Sequence, residues 1–244
     1  MTIEVGRVRK LFRYPVKSMA GSSVADVQLN LHGLGGDRRF AFRRLSERGG
    51  VPWLTASHYP DLLRYRPCGG DANAEEPVPT HVLTPEGEQL ELNGEPLRAE
   101  VSRRSGHDVE LIRSRLGIFD DAHVSVITVA TLEGIERELG RPLDLRCFRP
   151  NIVLDTGGDE VFAEDRWVGG TLVFGEGDRP AAVTLTMRDP RCVMINMHPD
   201  TAQQDPQVMR TLVRMSGNNA GVYGTVVRAG KLATGQTVRL VEPL

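Results

Sequence analysis

A mostly β chain, built as two β-barrel-like parts with a few short helices, is what the 244-residue sequence predicts. Two observations carry this expectation. Apolar residues recur in short, strand-like runs set off by regularly spaced Gly, Pro and Asn turns, and only two segments keep a helical spacing. Strands that follow one another with turns between them suit barrels or sandwiches, whereas a parallel α/β sheet needs a helix after each strand. A composition of 40% apolar and 25% charged residues is that of an ordinary soluble protein, and the length is enough for one large domain or two small ones.

In chain order, strands are expected at residues 5–12 and 38–45, the second bounded by the glycine pairs Gly35-Gly36 and Gly49-Gly50. Further strands follow at 81–84, 89–92, 109–112 and 124–129, then at 152–154, 171–174, 183–187, 193–197, 224–228 and 237–241. One helix is expected at 131–140, with Thr131 as N-cap, Leu132, Ile135 and Leu139 on one face, and Gly140 at its end. Another starts at Asp205-Pro206, placing Val208, Leu212 and Met215 on one face before Gly217. The polar stretch 69–80 reads as a mobile surface loop. A boundary near 117–121 divides the chain into an N-terminal part, 1–118, and a C-terminal part, 119–244.

Several classes of function are disfavoured. A net charge of −2 makes no case for nucleic-acid binding. No apolar run approaches the ~18–20 residues of a membrane span, and the charged N-terminus lacks the apolar core of a secretory signal. Cys68, Cys147 and Cys192 form no CxxC pair, which argues against a disulfide scaffold, a zinc ribbon or an iron–sulfur cluster and for a reduced, cytoplasmic setting. The six histidines show no metal-ligand spacing, and the nucleophile elbow, phosphate loop and zinc-protease motifs are missing. Of 30 basic residues only Lys10, Lys17 and Lys231 are lysines, a bias that fits codon usage as well as bidentate recognition of phosphate or carboxylate.

Four clusters hold the candidate chemistry. Pro15 breaks the first strand just before Lys17 and Ser18, two anion donors. The glycines of Gly33-Leu-Gly-Gly-Asp-Arg38 permit a nest of backbone N–H groups beside Arg38. Phe148-Arg-Pro-Asn151 places Arg149 and Asn151 at the mouth of an apolar strand. Cys192 lies between a proline turn and an apolar run, flanked by Arg188 and Arg191, a setting that suits a soft-metal ligand or a sulfur nucleophile. Taken singly, the Arg149-Asn151 cluster reads as well as an Asx-turn with a surface arginine, and the others read better as a strand end, a hairpin turn and a structural cysteine.

Their order is more specific. Tyr14-Pro-Val-Lys-Ser18, Gly36-Asp-Arg38, Phe148-Arg-Pro-Asn-Ile-Val153, Ala163-Glu-Asp-Arg-Trp167, Arg191-Cys192 with Pro199-Asp-Thr201, and Gly221-Val-Tyr-Gly224 follow one another along the chain. In this order and spacing the chain, from about residue 5 to residue 241, resembles the MOSC family. The resemblance is to the branch with an N-terminal β-barrel domain, which includes the mitochondrial amidoxime-reducing components and their bacterial relatives. It implies a molybdenum cofactor (molybdopterin, of the sulfite-oxidase type) in a cleft between the two β-rich parts. Cys192 matches the metal-binding, catalytic cysteine. Lys17, Ser18, Arg38, Arg149 and Asn151 match positions that hold the pterin and its phosphate, and Thr128, Arg191 and Tyr223 lie in segments that line it.

The resemblance further implies reduction of small N-hydroxylated or related N-oxygenated compounds by oxygen-atom abstraction at the Cys-ligated molybdenum. Electrons would come from a separate electron-transfer protein (a ferredoxin, a flavoprotein or a cytochrome b5-like protein). Two alternatives stay open: a sulfur carrier holding a persulfide on Cys192, and a non-catalytic cofactor-binding protein. The chain departs from its relatives in reading His198-Pro-Asp-Thr-Ala202 where Asp-Pro-Asp-Thr-Gly is common, and in a longer loop at Gly157-Gly-Asp-Glu160.

Overall fold

In the computed structural model, which describes residues 2–242 except 72, 73 and 75, the chain opens with a long strand, β1 (Thr2–Arg13). Three short strands follow, β2 (Ser22–Val24), β3 (Asp26–Asn30) and β4 (Gly33–Leu34), and then β5 (Phe40–Arg44). A small sheet of β6 (Arg66–Cys68), β7 (His81–Leu83) and β8 (Gln89–Glu91) leads into helix α1 (Glu95–Ser105) and β9 (Val109–Arg113), which pairs antiparallel with β5. The second half holds β10 (Val124–Thr128), helix α2 (Val129–Leu139), β11 (Ile152–Asp155), β12 (Thr171–Phe174) and β13 (Ala181–Pro190). It ends with helix α3 (Gln207–Ser216), β14 (Asn219–Arg228), β15 (Gly230–Ala233) and β16 (Thr237–Val241).

Seven strands close into a barrel in the order β11-β10-β14-β13-β12-β16-β1, because β1 pairs back onto β11. Closure leaves no unpaired edge to recruit another chain. The one parallel pair, β10 with β11, is joined through α2, since parallel neighbours need a crossover rather than a hairpin. Alternate residues fill the interior: Val8 and Leu11 of β1 meet Val126, Leu154, Leu172, Val183 and Leu240. The N-terminal strand is therefore a stave of a barrel otherwise made from residues 124–241. A second core gathers Val16, Phe40, Phe42, Tyr65, Val82, Leu97 and Val101, and a third lies under α2 and α3 around Phe12, Ile127, Ile135, Phe148 and Leu212.

The mostly β class with few helices is as the sequence predicts; strands β2, β3, β4, β6 and β15 are not among those expected, and three further elements differ. The apolar run at 193–197, expected as a strand, is a 3-10 turn (Val193–Asn196), closed by Ile195 N donating to Cys192 O and Met197 N to Met194 O. Ile195 and Met197 are buried and Val193 is exposed, and the backbone hydrogen bonds of 193–196 close a tight turn instead of pairing with a neighbouring strand. Helix α1 went unpredicted because only Leu97 and Val101 face inward from a polar, arginine-rich segment. Helix α2 starts at Val129 with Thr128 as its cap, not Thr131. The expected loop at 69–80 includes residues 72, 73 and 75, which lie outside the described residues. Among the described residues no helix is long and apolar enough to cross a membrane.

Candidate functional site: a cationic cleft with one exposed thiol

Past the end of β1 the chain is pinned to β5. Val16 bridges Phe40, and Lys17 N donates to Phe40 O at 2.7 Å. Ser18 then takes a left-handed conformation (φ 64°) and turns the chain, leaving Lys17 only 6% exposed in the wall of a cleft of about 300 Å³. Lys17 Nζ donates to Asp120 Oδ1 at 2.6 Å. Burial lowers the pKa of Lys17 and Asp120 raises it, while Arg38 and Arg149 lower it further.

The glycine-rich block supplies the second cation. Gly36 is left-handed, and a Cβ there would fall 2.0 Å from the Pro77 carbonyl oxygen, so glycine is required. Arg38 is also left-handed (φ 48°), held by Arg38 N donating to Tyr14 O at 2.7 Å. Between them Asp37 is fully buried and accepts from Tyr14 N at 2.6 Å, from Asn151 Nδ2 at 3.1 Å and from Arg38 Nη1. Arg38 also donates to Asn151 Oδ1 at 3.3 Å and to Arg149 O at 3.2 Å. Chain segments more than a hundred residues apart are thus tied through one buried carboxylate.

Arg149 ends the 3-10 turn Leu145–Phe148 in a left-handed conformation (φ 49°). Its guanidinium lies over the Tyr14 ring, 4.3 Å from the centroid, and donates to Met19 O at 2.8 Å; Arg38 sits over the same ring at 4.9 Å. Among the described residues Arg149 has no carboxylate within ion-pair distance. Burial pushes its pKa down to about 10, and the neighbouring Arg38 adds to the effect, against the pull of Tyr14 and Asp37. A half-buried guanidinium without a carboxylate partner is free to donate a charge-assisted hydrogen bond to an anion in the cleft.

The opposite wall carries the thiol. Cys192 is extended and exposed at the entrance of the Val193–Asn196 turn. The guanidiniums of Arg188 and Arg191, which flank Cys192 in sequence, are both engaged with other groups. Arg191 donates to Phe148 O at 2.7 Å and through Nε to Ala220 O at 2.8 Å, and pairs with Asp189 at 2.7 Å. Arg188 pairs with Asp165 at 2.8 Å and donates to Ser216 O at 3.2 Å. Arg191 therefore fixes the backbone that presents Cys192. Cys147 is buried with Sγ 3.5 Å from Met197 O, and burial pushes its thiol up to about 12; Cys68 is half-buried in β6.

The cleft brings together Lys17, Ser18, Arg38, Arg149, Arg191, Cys192 and Tyr223. Asn151 stands behind its wall, bonded to Arg38, whereas Thr128 is not among the residues that line it. Thr128 caps α2 and donates to the buried Glu164 at 2.8 Å, a carboxylate that Thr131 also reaches at 2.9 Å. Asn151 links Arg38, Asp37, Phe12 O and Ser125 N. Sequence reasoning missed Asp120, Thr55, Ser57 and Asp189, which also line the cleft. Asp120 and Asp121 carried a faint signal, an acidic pair just before an apolar strand; Thr55 and Ser57 lie in irregular chain and carried none.

Asp189 is fully buried, with Oδ2 accepting from Ser125 Oγ at 2.7 Å and pairing with Arg191 at 2.7 Å. Burial pushes its pKa up from 3.8 to about 6, against the pull of Arg191. The folded chain thus keeps a proton that the unfolded chain has released. Its contribution to stability is full below about pH 4 and is lost as the pH rises through about 6. Asp189→Asn removes this titration. The stability of the unsubstituted chain relative to the variant should therefore fall across that window in urea titrations; a flat difference contradicts the assignment.

The chain belongs to the MOSC family: residues 103–239 match the MOSC domain and residues 5–109 the MOSC N-terminal beta barrel domain. It is similar to mitochondrial amidoxime-reducing component 1 of Homo sapiens, 26% identical over 288 residues covering 99% of this chain and 83% of that protein. Mitochondrial amidoxime reducing component 2 of Rattus norvegicus is 25% identical over 295 residues, 98% of this chain and 85% of that one. Among solved structures, the YuaD protein from Bacillus subtilis shares the fold, with a TM-score of 0.52 over 98% of this chain and 96% of that one at 14% identity.

Proposed function

We propose that the cleft binds a molybdenum cofactor and that the chain reduces small N-hydroxylated or related N-oxygenated compounds, as the likeness to amidoxime-reducing components suggests. One observation carries this: half-buried Arg149, which has no carboxylate partner among the described residues, lines with Arg38 and Lys17 the same cleft as the exposed thiol of Cys192. The donor set fits the group. A phosphate takes charge-assisted hydrogen bonds from guanidinium and ammonium groups, and molybdenum takes a soft thiolate.

Lys17, Arg38 and Arg149 hold the phosphate, with Ser18 turning the backbone that carries Lys17. Asn151 and Asp37 fix Arg38 from behind, and Tyr14 supplies the ring against which Arg38 and Arg149 stack. Arg191 holds the backbone of Cys192, which ligates the metal; Thr128 sets the start of α2. Tyr223 lines the cleft together with Asp189 and would contact the pterin. Bound there, the cofactor supplies two-electron abstraction of an oxygen atom. The electrons come from a separate ferredoxin, flavoprotein or cytochrome b5-like protein, and the setting is cytoplasmic. The sulfur-carrier alternative needs only the thiol and gives Lys17, Arg38 and Arg149 in the cleft no purpose.

The two arginine and lysine contacts are testable together. A charge-assisted contact to phosphate contributes roughly 1.5–3 kcal/mol, or about one to two decades of affinity. Lys17→Ala and Arg149→Ala should each reduce the molybdenum and pterin retained after gel filtration, more steeply as salt rises, with melting curves to show the fold intact. Full retention by a folded Lys17→Ala chain contradicts the shared site.

A further inference from the structure

Lys17 and Asp120 form an unequal pair: the lysine side chain is 7% exposed and the carboxylate 68%. Asp120 sits on the link between β9 and β10, and Lys17 is its one described side-chain partner. That link is anchored on both sides. Ile118 N donates to Arg38 O at 2.8 Å, Ser114 N donates to Arg39 O at 2.8 Å, and Ile118 and Ala122 are buried. The backbone is thus held while the Asp120 side chain alone reaches over the cleft. A rotation about its own side-chain bonds is enough to free Lys17. In the cleft, Arg38 already has Asp37, whereas Lys17 has only this exposed carboxylate and Arg149 has none.

We infer that Asp120 is a resident counter-ion, which occupies the anion position on Lys17 and is displaced when a phosphate group enters. The inference rests on reading the cleft as a phosphate site. Its chemical consequence is selectivity. An incoming anion must exchange one carboxylate–ammonium contact for its own, so a monoanion that meets Lys17 alone gains little. A phosphate, with three acceptor oxygens and nearly two charges, spans Lys17 and Arg149 together and wins the exchange. Asp120 thereby sets which anions the cleft accepts, and keeps the buried lysine paired when none is bound.

The test uses the full chain made in a host that cannot make the cofactor, with inorganic phosphate as the probe. Calorimetry gives its affinity, and acetylation followed by peptide mass analysis reads Lys17 directly, because Lys10 and Lys231 are the only other lysines. Asp120→Asn is expected to bind phosphate about tenfold more tightly, the equivalent of one charge-assisted contact no longer broken. In that variant phosphate should slow Lys17 acetylation at lower concentrations than in the unsubstituted chain. Asp121→Asn, at the same rim, should change the affinity by less than about twofold, which separates displacement from a general loss of negative charge. If Asp120→Asn binds no more tightly, or Asp121→Asn gains as much, the displacement is wrong while the phosphate site stands. If phosphate neither binds nor protects Lys17 in any chain, the phosphate site itself is wrong and the displacement falls with it.

Discussion

Cys192→Ala is expected to lose all reductase activity, measured with an artificial reductant and an N-hydroxylated substrate, while its melting temperature stays within about a degree of the parent. Both halves follow from the placement of the side chain. Cys192 is exposed at the start of a 3-10 turn, its side chain makes no capping hydrogen bond, and its backbone is held by neighbours that the substitution leaves alone. Removing one sulfur from the surface therefore costs little packing. Cys147→Ala should behave in the opposite way. Its thiol is buried in the cluster under α2 and α3, so truncation lowers stability by about 1 kcal/mol and leaves activity in place. Activity retained by Cys192→Ala, or lost with Cys147→Ala in a folded chain, assigns the chemistry to the wrong sulfur.

Asp37→Ala is expected to have the largest effect on stability, a loss of about 3–5 kcal/mol in chemical denaturation, because it strands a buried cation. Asp37 is wholly buried and accepts from Arg38, Asn151 Nδ2 and Tyr14 N. Without it, Tyr14 N and one Asn151 N–H lose their acceptor, and Arg38 faces Arg149 across the Tyr14 ring uncompensated. Asp37→Asn keeps the shape and one acceptor, and should recover part of the loss but not the charge. A loss below about 1 kcal/mol for Asp37→Ala would mean that the tie between the two halves of the chain lies elsewhere.

What the sequence disclosed and what it hid divide along physical lines. The barrel strands were legible where one face is buried and the other wet, as in 171–174 and 237–241, because alternation survives in such strands. Strands of two or three residues, such as β2 and β4, are too short to show a period, and α1 turns only two residues inward. Val193-Met-Ile misled because an apolar run is written the same way for a strand and for a tight turn; the hydrogen bonds that decide between them are not in the composition. The clusters around Lys17, Arg38 and Arg149 were visible because proline and glycine mark the sharp turns they occupy. Asp189 and Asp120 were not, since their importance comes from Ser125 and Lys17, which lie far away in sequence.

The most direct measurement is the molybdenum content of the full chain purified from a host that makes the cofactor, with metal counted per chain by mass spectrometry. Close to one molybdenum per chain is predicted for the unsubstituted protein and for Cys68→Ala and Cys147→Ala, and its loss for a folded Cys192→Ala. An unsubstituted chain that carries no molybdenum while Cys192 is recovered as a persulfide, or a Cys147→Ala chain that folds and loses the metal, would contradict the account.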